Sequence, residues 1–116
     1  MTFLEIYELR KQISNIYEEF IFFKIKSKIC TERYNNLIID IPQLSRQDTV
    51  LHLSIKYNIP TDSAKILLYE AILDIHDTAK KQIELKVDAT ILLEKLRDLS
   101  QDEYYDMYKM LEEYIK

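Results

Sequence analysis

Three side chains are of the types used in nucleophilic or metal-assisted chemistry: the single Cys30 and the two histidines, His52 and His76. A catalytic cysteine needs a histidine beside it, and a metal centre needs three or four converging ligands. Neither histidine has the further ligands that would complete such a set on one helix face, and the chain contains no glycine for a phosphate-binding loop. The sequence therefore predicts no enzyme activity, no metal, no cofactor and no small-molecule substrate, and it predicts a buried packing role for Cys30.

A second group of candidate residues is cationic. Lys24, Lys28 and Arg33 lie near the predicted end of the first helix. Cations at that position complement the negative end of the helix dipole, which is one interpretation. The other interpretation is a basic contact for DNA or for an acidic partner, and these three residues are the candidates for it.

Tyrosines concentrate near the C-terminus, where four of the nine lie within residues 104–114. They cannot all occupy one narrow inner face of a helix, and tyrosine is enriched where proteins meet. Tyr105, Tyr108 and Tyr114 are therefore candidate interface residues. The alternative is an amphipathic terminal helix whose tyrosines lie at the edge of the core.

Composition limits the class of protein. A chain of 116 residues with 47% hydrophobic and 31% charged residues is typical of a folded globular domain. The absence of glycine favours helices, because sheet hairpins usually need glycine in their turns. The net charge is −4, so a nucleic-acid contact must be local. No apolar run reaches the roughly 20 residues of a membrane span, and we expect a soluble, cytoplasmic protein with no membrane partner.

The hydrophobic pattern predicts an all-α fold, a single compact domain of about five helices over residues 1–116. Its parts are a long first helix at about 3–28, two helices around a tight turn at about 46–84, and a C-terminal helical pair at about 89–116. Residues 35–42 are either extended or one helical turn ending at Pro42. Predicted helix N-caps are Thr2, Ser45, Asp88 and Ser100, with Thr61 or Asp62 capping the helix after the turn.

The stretch Val50–Leu67 carries the most specific pattern in the chain. An apolar and a small residue, Leu53 and Ser54, precede the turn, and small Ala64 follows it at a spacing that lets two helices cross closely. Asn58 occupies the turn, and asparagine tolerates the left-handed conformation better than most residues other than glycine. About 20 residues here resemble the helix-turn-helix of small transcription regulators, without resembling any particular family.

That resemblance implies DNA binding through the second helix of the element. The candidate contacts are Thr61, Ser63, Lys65 and Tyr69, which the resemblance places on its outer face. Asp62 and Glu70 are acidic neighbours that oppose phosphate binding. Two ordinary core helices joined by a tight turn remain the alternative.

Apolar residues at steps of three and four in the first helix form a heptad-like seam that includes Ile6, Leu9 and Ile13. These three are candidate residues for a homodimer interface, and packing inside the domain is the alternative. The sequence thus leaves two functional hypotheses. One is a small dimeric regulator that binds DNA or the transcription machinery. The other is an acidic protein-binding module or antagonist without nucleic-acid contact, of the kind found in viruses and mobile elements.

Overall fold

A computed structural model describes residues 2–41 and 45–116, and every element in these residues is a helix. The four helices are α1 (Phe3–Ile38), α2 (Arg46–Tyr57), α3 (Thr61–Leu99) and α4 (Gln101–Ile115). The predicted all-α fold is confirmed. The predicted count of five is wrong for the described residues, because two predicted helices are one.

The merged helix is α3, which runs through the predicted break at Asp88. Leu85 and Ala89 on either side of this residue are both buried, so the apolar face continues without interruption. An aspartate inside a helix costs at most about 0.7 kcal/mol relative to alanine. Burial of a leucine contributes about 1.5–3 kcal/mol, which outweighs that cost and keeps the helix intact.

The first helix is also longer than predicted, since α1 continues ten residues beyond the expected end at residue 28. Cys30 and Leu37 lie seven residues apart on the helix and are both buried, which extends its apolar face. The ambiguous segment 35–42 is therefore helical as far as Ile38. Pro42, its predicted end, lies outside the described residues.

Three of the predicted N-caps are confirmed by hydrogen bonds. Thr2 Oγ1 accepts from the Glu5 N–H at 3.3 Å, Ser45 Oγ from Asp48 and Ser100 Oγ from Glu103, each also at 3.3 Å. At the start of α3, the Ala64 N–H donates to the carbonyl of Pro60 at 3.0 Å, so the helix begins at Thr61 itself rather than after a Thr61 or Asp62 cap.

The described helices group into two compact units, in place of the one compact bundle predicted. Unit 1 comprises Met1–Ile25 and Lys80–Lys116, and unit 2 comprises Lys26–Ala79. The assignment of residues 1–116 to a single domain stays a prediction.

Unit 1 has a core made by α1, α3 and α4. Its buried residues are Ile13, Ile16, Phe20, Leu85, Ala89, Leu93, Leu96, Met107 and Leu111. Tyr114 of α4 stacks on Phe20 with ring centroids 5.0 Å apart and meets the edge of Tyr17 at 6.1 Å. These ring contacts fix the C-terminal half of α4 against α1.

Unit 2 is built around a smaller core from α1, α2 and α3. Its buried residues are Leu37, Leu53, Ala64, Leu68 and Ala71. Cys30 is buried as predicted, with its Sγ 4.0 Å from the hydroxyl of buried Thr78. Unit 2 contains the tight turn and the candidate DNA contacts.

Candidate nucleic-acid interface

The turn between α2 and α3 is built by Asn58, as the sequence predicts. Asn58 has φ 52° and ψ 53°, the left-handed conformation. Its N–H donates to the Ile55 carbonyl at 3.3 Å, and the Ile59 N–H donates to the Ser54 carbonyl at 3.0 Å. These bonds satisfy carbonyls that the end of α2 would otherwise leave unpaired.

Ser54 makes a second contribution to the turn. Its hydroxyl donates to the carbonyl of Ile59, so Ser54 and Ile59 are joined by two hydrogen bonds in opposite directions. Leu53 and Ala64, one on each side of the turn, are both fully buried. The small alanine lets the start of α3 approach α2 closely, which fixes the position of the outer faces of both helices.

A groove of about 460 Å³ opens between these outer faces. It is lined from α2 by Arg46, Gln47, Val50 and Leu51, and from α3 by Thr61, Lys65 and Tyr69. We call it the α2–α3 groove. Its lining combines two cations, an amide and a hydroxyl with the apolar surface of valine, leucine and tyrosine.

The Tyr69 ring in the α2–α3 groove lies close to both of the groove's cations. The Arg46 guanidinium carbon lies 5.9 Å from the ring centroid, and Lys65 Nζ lies 5.8 Å from it. Both distances are within the range at which a cation is attracted to an aromatic face. One ring therefore holds a cation from each helix beside the same opening.

Acidic residues moderate this local positive charge. Asp48 accepts a hydrogen bond from the Ser45 hydroxyl at 2.9 Å, and Asp62 lies exposed in the first turn of α3. Over residues 26–79 the sequence has six Lys/Arg against seven Asp/Glu. Unit 2 as a whole is therefore not cationic, and two of its six cations line the groove.

The groove offers hydrogen-bond donors and cations to an anionic ligand, and apolar surface to flat groups of the same ligand. Arginine, lysine and threonine side chains bind phosphate oxygens, whereas glutamine can read the edge of a base. The N-terminus of α3, where backbone N–H groups lack helical partners, begins at Thr61 in the same groove.

Three of the four predicted DNA contacts line the groove: Thr61, Lys65 and Tyr69. Ser63 is exposed on α3 but is not among the lining residues. Sequence reasoning missed Arg46 and Gln47. Their position in the sequence could have identified them, because they begin α2. A tight turn between two helices brings residues of the first helix beside the outer face of the second.

The predicted basic contact has other surroundings. Lys24 Nζ lies 5.6 Å from the Tyr114 ring centroid, and Arg33 lies 3.6 Å from the Asp74 carboxylate. Lys28 is exposed. Because α1 continues to Ile38, these residues occupy the helix interior, and the expected pairing with the negative helix end is wrong.

The predicted interface residues differ widely in exposure. Ile13 is fully buried, while Ile6 and Leu9 are partly buried against the unit 1 core. Tyr108 and Tyr114 also pack partly buried on that core. Tyr105 is 56% exposed, with Lys109 Nζ 4.9 Å from its ring centroid.

Two further properties bear on the class of function. In residues 2–41 and 45–116, His, Cys, Asp and Glu side chains form no group of three or more that could hold a metal ion. Within the same residues, none of the helices combines the length and the apolar character needed to cross a membrane.

No protein-family model matches this chain, and no curated protein or solved structure matches it either.

Proposed function

We propose that this protein is a small helical regulator that binds duplex DNA through the α2–α3 groove. The observation that carries the proposal is the pair of cations, Arg46 and Lys65, which lie 5.9 Å and 5.8 Å from the Tyr69 ring centroid and line the same groove. The local resemblance of residues 50–69 to a helix-turn-helix supports the same conclusion. In such elements the second helix enters the major groove and the first helix crosses the backbone.

Each polar or aromatic lining residue has a role in this proposal. Arg46 and Lys65 neutralise phosphates, and the Thr61 hydroxyl with the N-terminal N–H groups of α3 binds phosphate oxygens. Gln47 supplies an amide that can pair with a base edge. Tyr69 positions both cations, since without its ring two long side chains would lose orientation in solvent.

The proposal predicts salt-dependent binding to duplex DNA, measured by fluorescence anisotropy of a labelled mixed-sequence duplex. Arg46→Glu and Lys65→Glu should each weaken binding, because each replaces a phosphate-binding cation by a like charge. Lys109→Glu, which makes the same change on α4 of unit 1, is the matched control and should bind as the unaltered protein does.

Tyr69 gives a second, independent readout. Tyr69→Phe keeps the ring under both cations and should retain binding, whereas Tyr69→Ala removes the ring and should weaken binding. Equal binding by the alanine and phenylalanine variants would contradict the role of the ring.

Protein binding is the second candidate, and exposed apolar side chains on α2 and α3 support it. Ile55 is 80% exposed, Ile66 59% and Leu51 48%. Under this candidate, the protein shows no salt-dependent DNA binding. It instead binds a protein ligand, and this binding survives nuclease treatment and is lost in Ile55→Ser. The first candidate is favoured if Arg46→Glu loses DNA binding and Ile55→Ser captures the same proteins as the unaltered chain.

A further inference from the structure

Unit 1 carries an uncovered stripe on the outer side of α3. Lys80, Ile83, Val87, Ile91 and Glu94 follow one another at steps of three, four, four and three residues. Successive helix residues turn by about 100°, so all five lie within about 40° of Val87 around the helix axis. Ile83 is 64% exposed, Val87 53% and Ile91 47%. We call these five residues the α3 stripe.

The neighbouring helices leave this side of α3 open. On one flank, Ile91 of the stripe lines a groove together with Asp88 and Leu92 and with Gln12 and Asn15 of α1. On the other flank, Glu94 of the stripe lines a groove together with Leu93 and Arg97 and with Tyr104 and Tyr108 of α4. The core residues Leu85, Ala89 and Leu96 point away from the stripe. Three large aliphatic side chains therefore face solvent together, an arrangement that marks contact surfaces.

The spacing and the apolar residues of the α3 stripe are symmetric about Val87, and its two ends carry opposite charges. Reversing the direction of the helix places Ile83 where Ile91 was and Lys80 where Glu94 was. A surface with this property is complementary to an antiparallel copy of itself, as an interface with two-fold symmetry requires. Val87 would meet Val87 of the second copy on the axis, flanked by two isoleucine pairs.

We propose that the α3 stripe is the contact surface of a homodimer in which two α3 helices pair antiparallel about Val87. Charge complementarity identifies a second copy as the occupant, because Lys80 of each chain faces Glu94 of the other. Among the described residues neither Lys80 nor Glu94 has an ion-pair partner within its own chain. A parallel pairing would instead place lysine against lysine and glutamate against glutamate.

The size of the stripe sets the expected strength of the dimer. Fifteen residues of helix span about 22 Å, which is short for a dimer contact. Interfaces that bury less than about 1,200 Å² are characteristically weak and transient. The dimer should therefore form and dissociate with protein concentration.

This proposal is independent of DNA binding. It uses unit 1 residues that the α2–α3 groove does not contain, and its test measures molecular mass without DNA. It also assigns the dimer to a different surface from the α1 seam, whose Ile13 is fully buried in the unit 1 core.

The first test is sedimentation equilibrium of the full chain up to about 1 mM, since weak interfaces need high concentration to form. The average mass should rise with concentration from 14.0 kDa toward twice that value. Val87→Asp places two like charges on the axis and should hold the mass at that of one chain. Leu73→Asp, at a site 57% exposed on α3 in unit 2, is the matched control and should dimerise normally.

The second test exchanges charges at the ends of the stripe. Lys80→Glu or Glu94→Lys alone places like charges opposite each other and should weaken the dimer. The double variant Lys80→Glu/Glu94→Lys restores opposite charges and should dimerise again. An equimolar mixture of the two single variants should also form dimers, because each position 80 then faces a position 94 of opposite charge.

Any of three results would overturn the proposal. The first is a mass that stays at 14.0 kDa over the whole concentration range. The second is a dimer that Val87→Asp leaves intact. The third is a dimer that the single charge variants and the double variant affect alike. Circular dichroism of each variant confirms that its helices are retained, so a loss of dimer is not a loss of fold.

Discussion

Asn58 shows how a glycine-free chain makes a tight helix–helix turn. A left-handed conformation costs most residues about 1–2 kcal/mol, and asparagine is one of the few that reach it routinely. At this position the Asn58 N–H and the Ile59 N–H both donate hydrogen bonds to carbonyls at the end of α2. The residue type thus decides where α2 ends and, through that, where the α2–α3 groove opens.

This role predicts opposite outcomes for two substitutions of Asn58. Asn58→Ala keeps the left-handed backbone without a favourable side chain and should lower the free energy of unfolding by about 1 kcal/mol. Asn58→Gly should leave it unchanged or raise it, because glycine reaches positive φ without steric cost. Urea unfolding followed by circular dichroism measures both. Equal stability of the alanine and glycine variants would contradict a turn fixed by the left-handed residue.

A second prediction concerns the pKa of Glu112. A hydrogen bond and the charge of Lys116 hold the pKa of this carboxyl below its ordinary value of 4.5, and the Lys109 charge adds a smaller effect. The contact, with Lys116 Nζ 2.9 Å from Glu112 Oε1, stabilises the folded state above pH 4.5 and is lost as pH falls through the lowered pKa. Both side chains are exposed, so the effect on stability is small.

Substitution and NMR titration test this ordering of causes. Lys116→Gln should raise the pKa of Glu112 back toward 4.5, whereas Lys109→Gln should raise it less. The chemical shift of the Glu112 side-chain carboxyl reports the value directly. A larger change with Lys109→Gln than with Lys116→Gln would contradict the assignment to Lys116.

At the scale of elements, one aromatic cluster joins the C-terminal half of α4 to α1. Tyr114 stacks almost parallel on Phe20, with an interplanar angle of 7°, and touches the edge of Tyr17. Burial of aromatic area and ring geometry both favour this contact. Tyr114 therefore serves as a packing residue of unit 1 in the structure, although the sequence predicts it as an interface residue.

The cluster predicts a clear difference between two variants. Tyr114→Ala removes the ring and should lower the free energy of unfolding by about 1–3 kcal/mol, less than for a fully buried aromatic. Tyr114→Phe keeps both ring contacts and should lower it by less than about 1 kcal/mol. Thermal and urea unfolding measure the difference. If the alanine variant is as stable as the phenylalanine variant, the ring contacts do not hold α4 in place.

The sequence predicts helix boundaries that neighbouring residues determine better than those that tertiary packing determines. The caps at Ser45 and Ser100 and the turn at Asn58 are local, so each follows from a few neighbouring residues. The continuation of α3 past Asp88 depends on the burial of Leu85 and Ala89 against other helices, which a local pattern does not contain. Tertiary packing overrides a weak local preference here.

The residues of the candidate site also divide into those predicted from local sequence and those brought in by tertiary packing. The outer-face positions Thr61, Lys65 and Tyr69 are predicted from the sequence by the helix-turn-helix resemblance, and all three line the groove. Arg46 is 23 residues before Tyr69, and its cation–ring contact exists only once the turn has folded. The sequence therefore predicts the three lining residues of α3, and the structure adds the four of α2.

At the scale of the whole molecule, charge is the main constraint on function. A net charge of −4 opposes broad binding to nucleic acid, so the proposed DNA contact depends on a few cations. Two phosphates neutralised per chain give weak binding by one chain. The dimer proposed from the α3 stripe would double the number of cations per particle, although each proposal is tested without the other.

The most direct test of the DNA-binding proposal is the slope of log binding constant against log salt concentration, measured between about 50 mM and 200 mM salt. Two phosphate contacts predict a slope of about −1.8 for one chain. Arg46→Gln/Lys65→Gln should bring it close to zero, and Lys109→Gln should leave it unchanged. Absence of DNA binding at the lowest salt concentration, or an unchanged slope in the double variant, would contradict DNA binding through the α2–α3 groove.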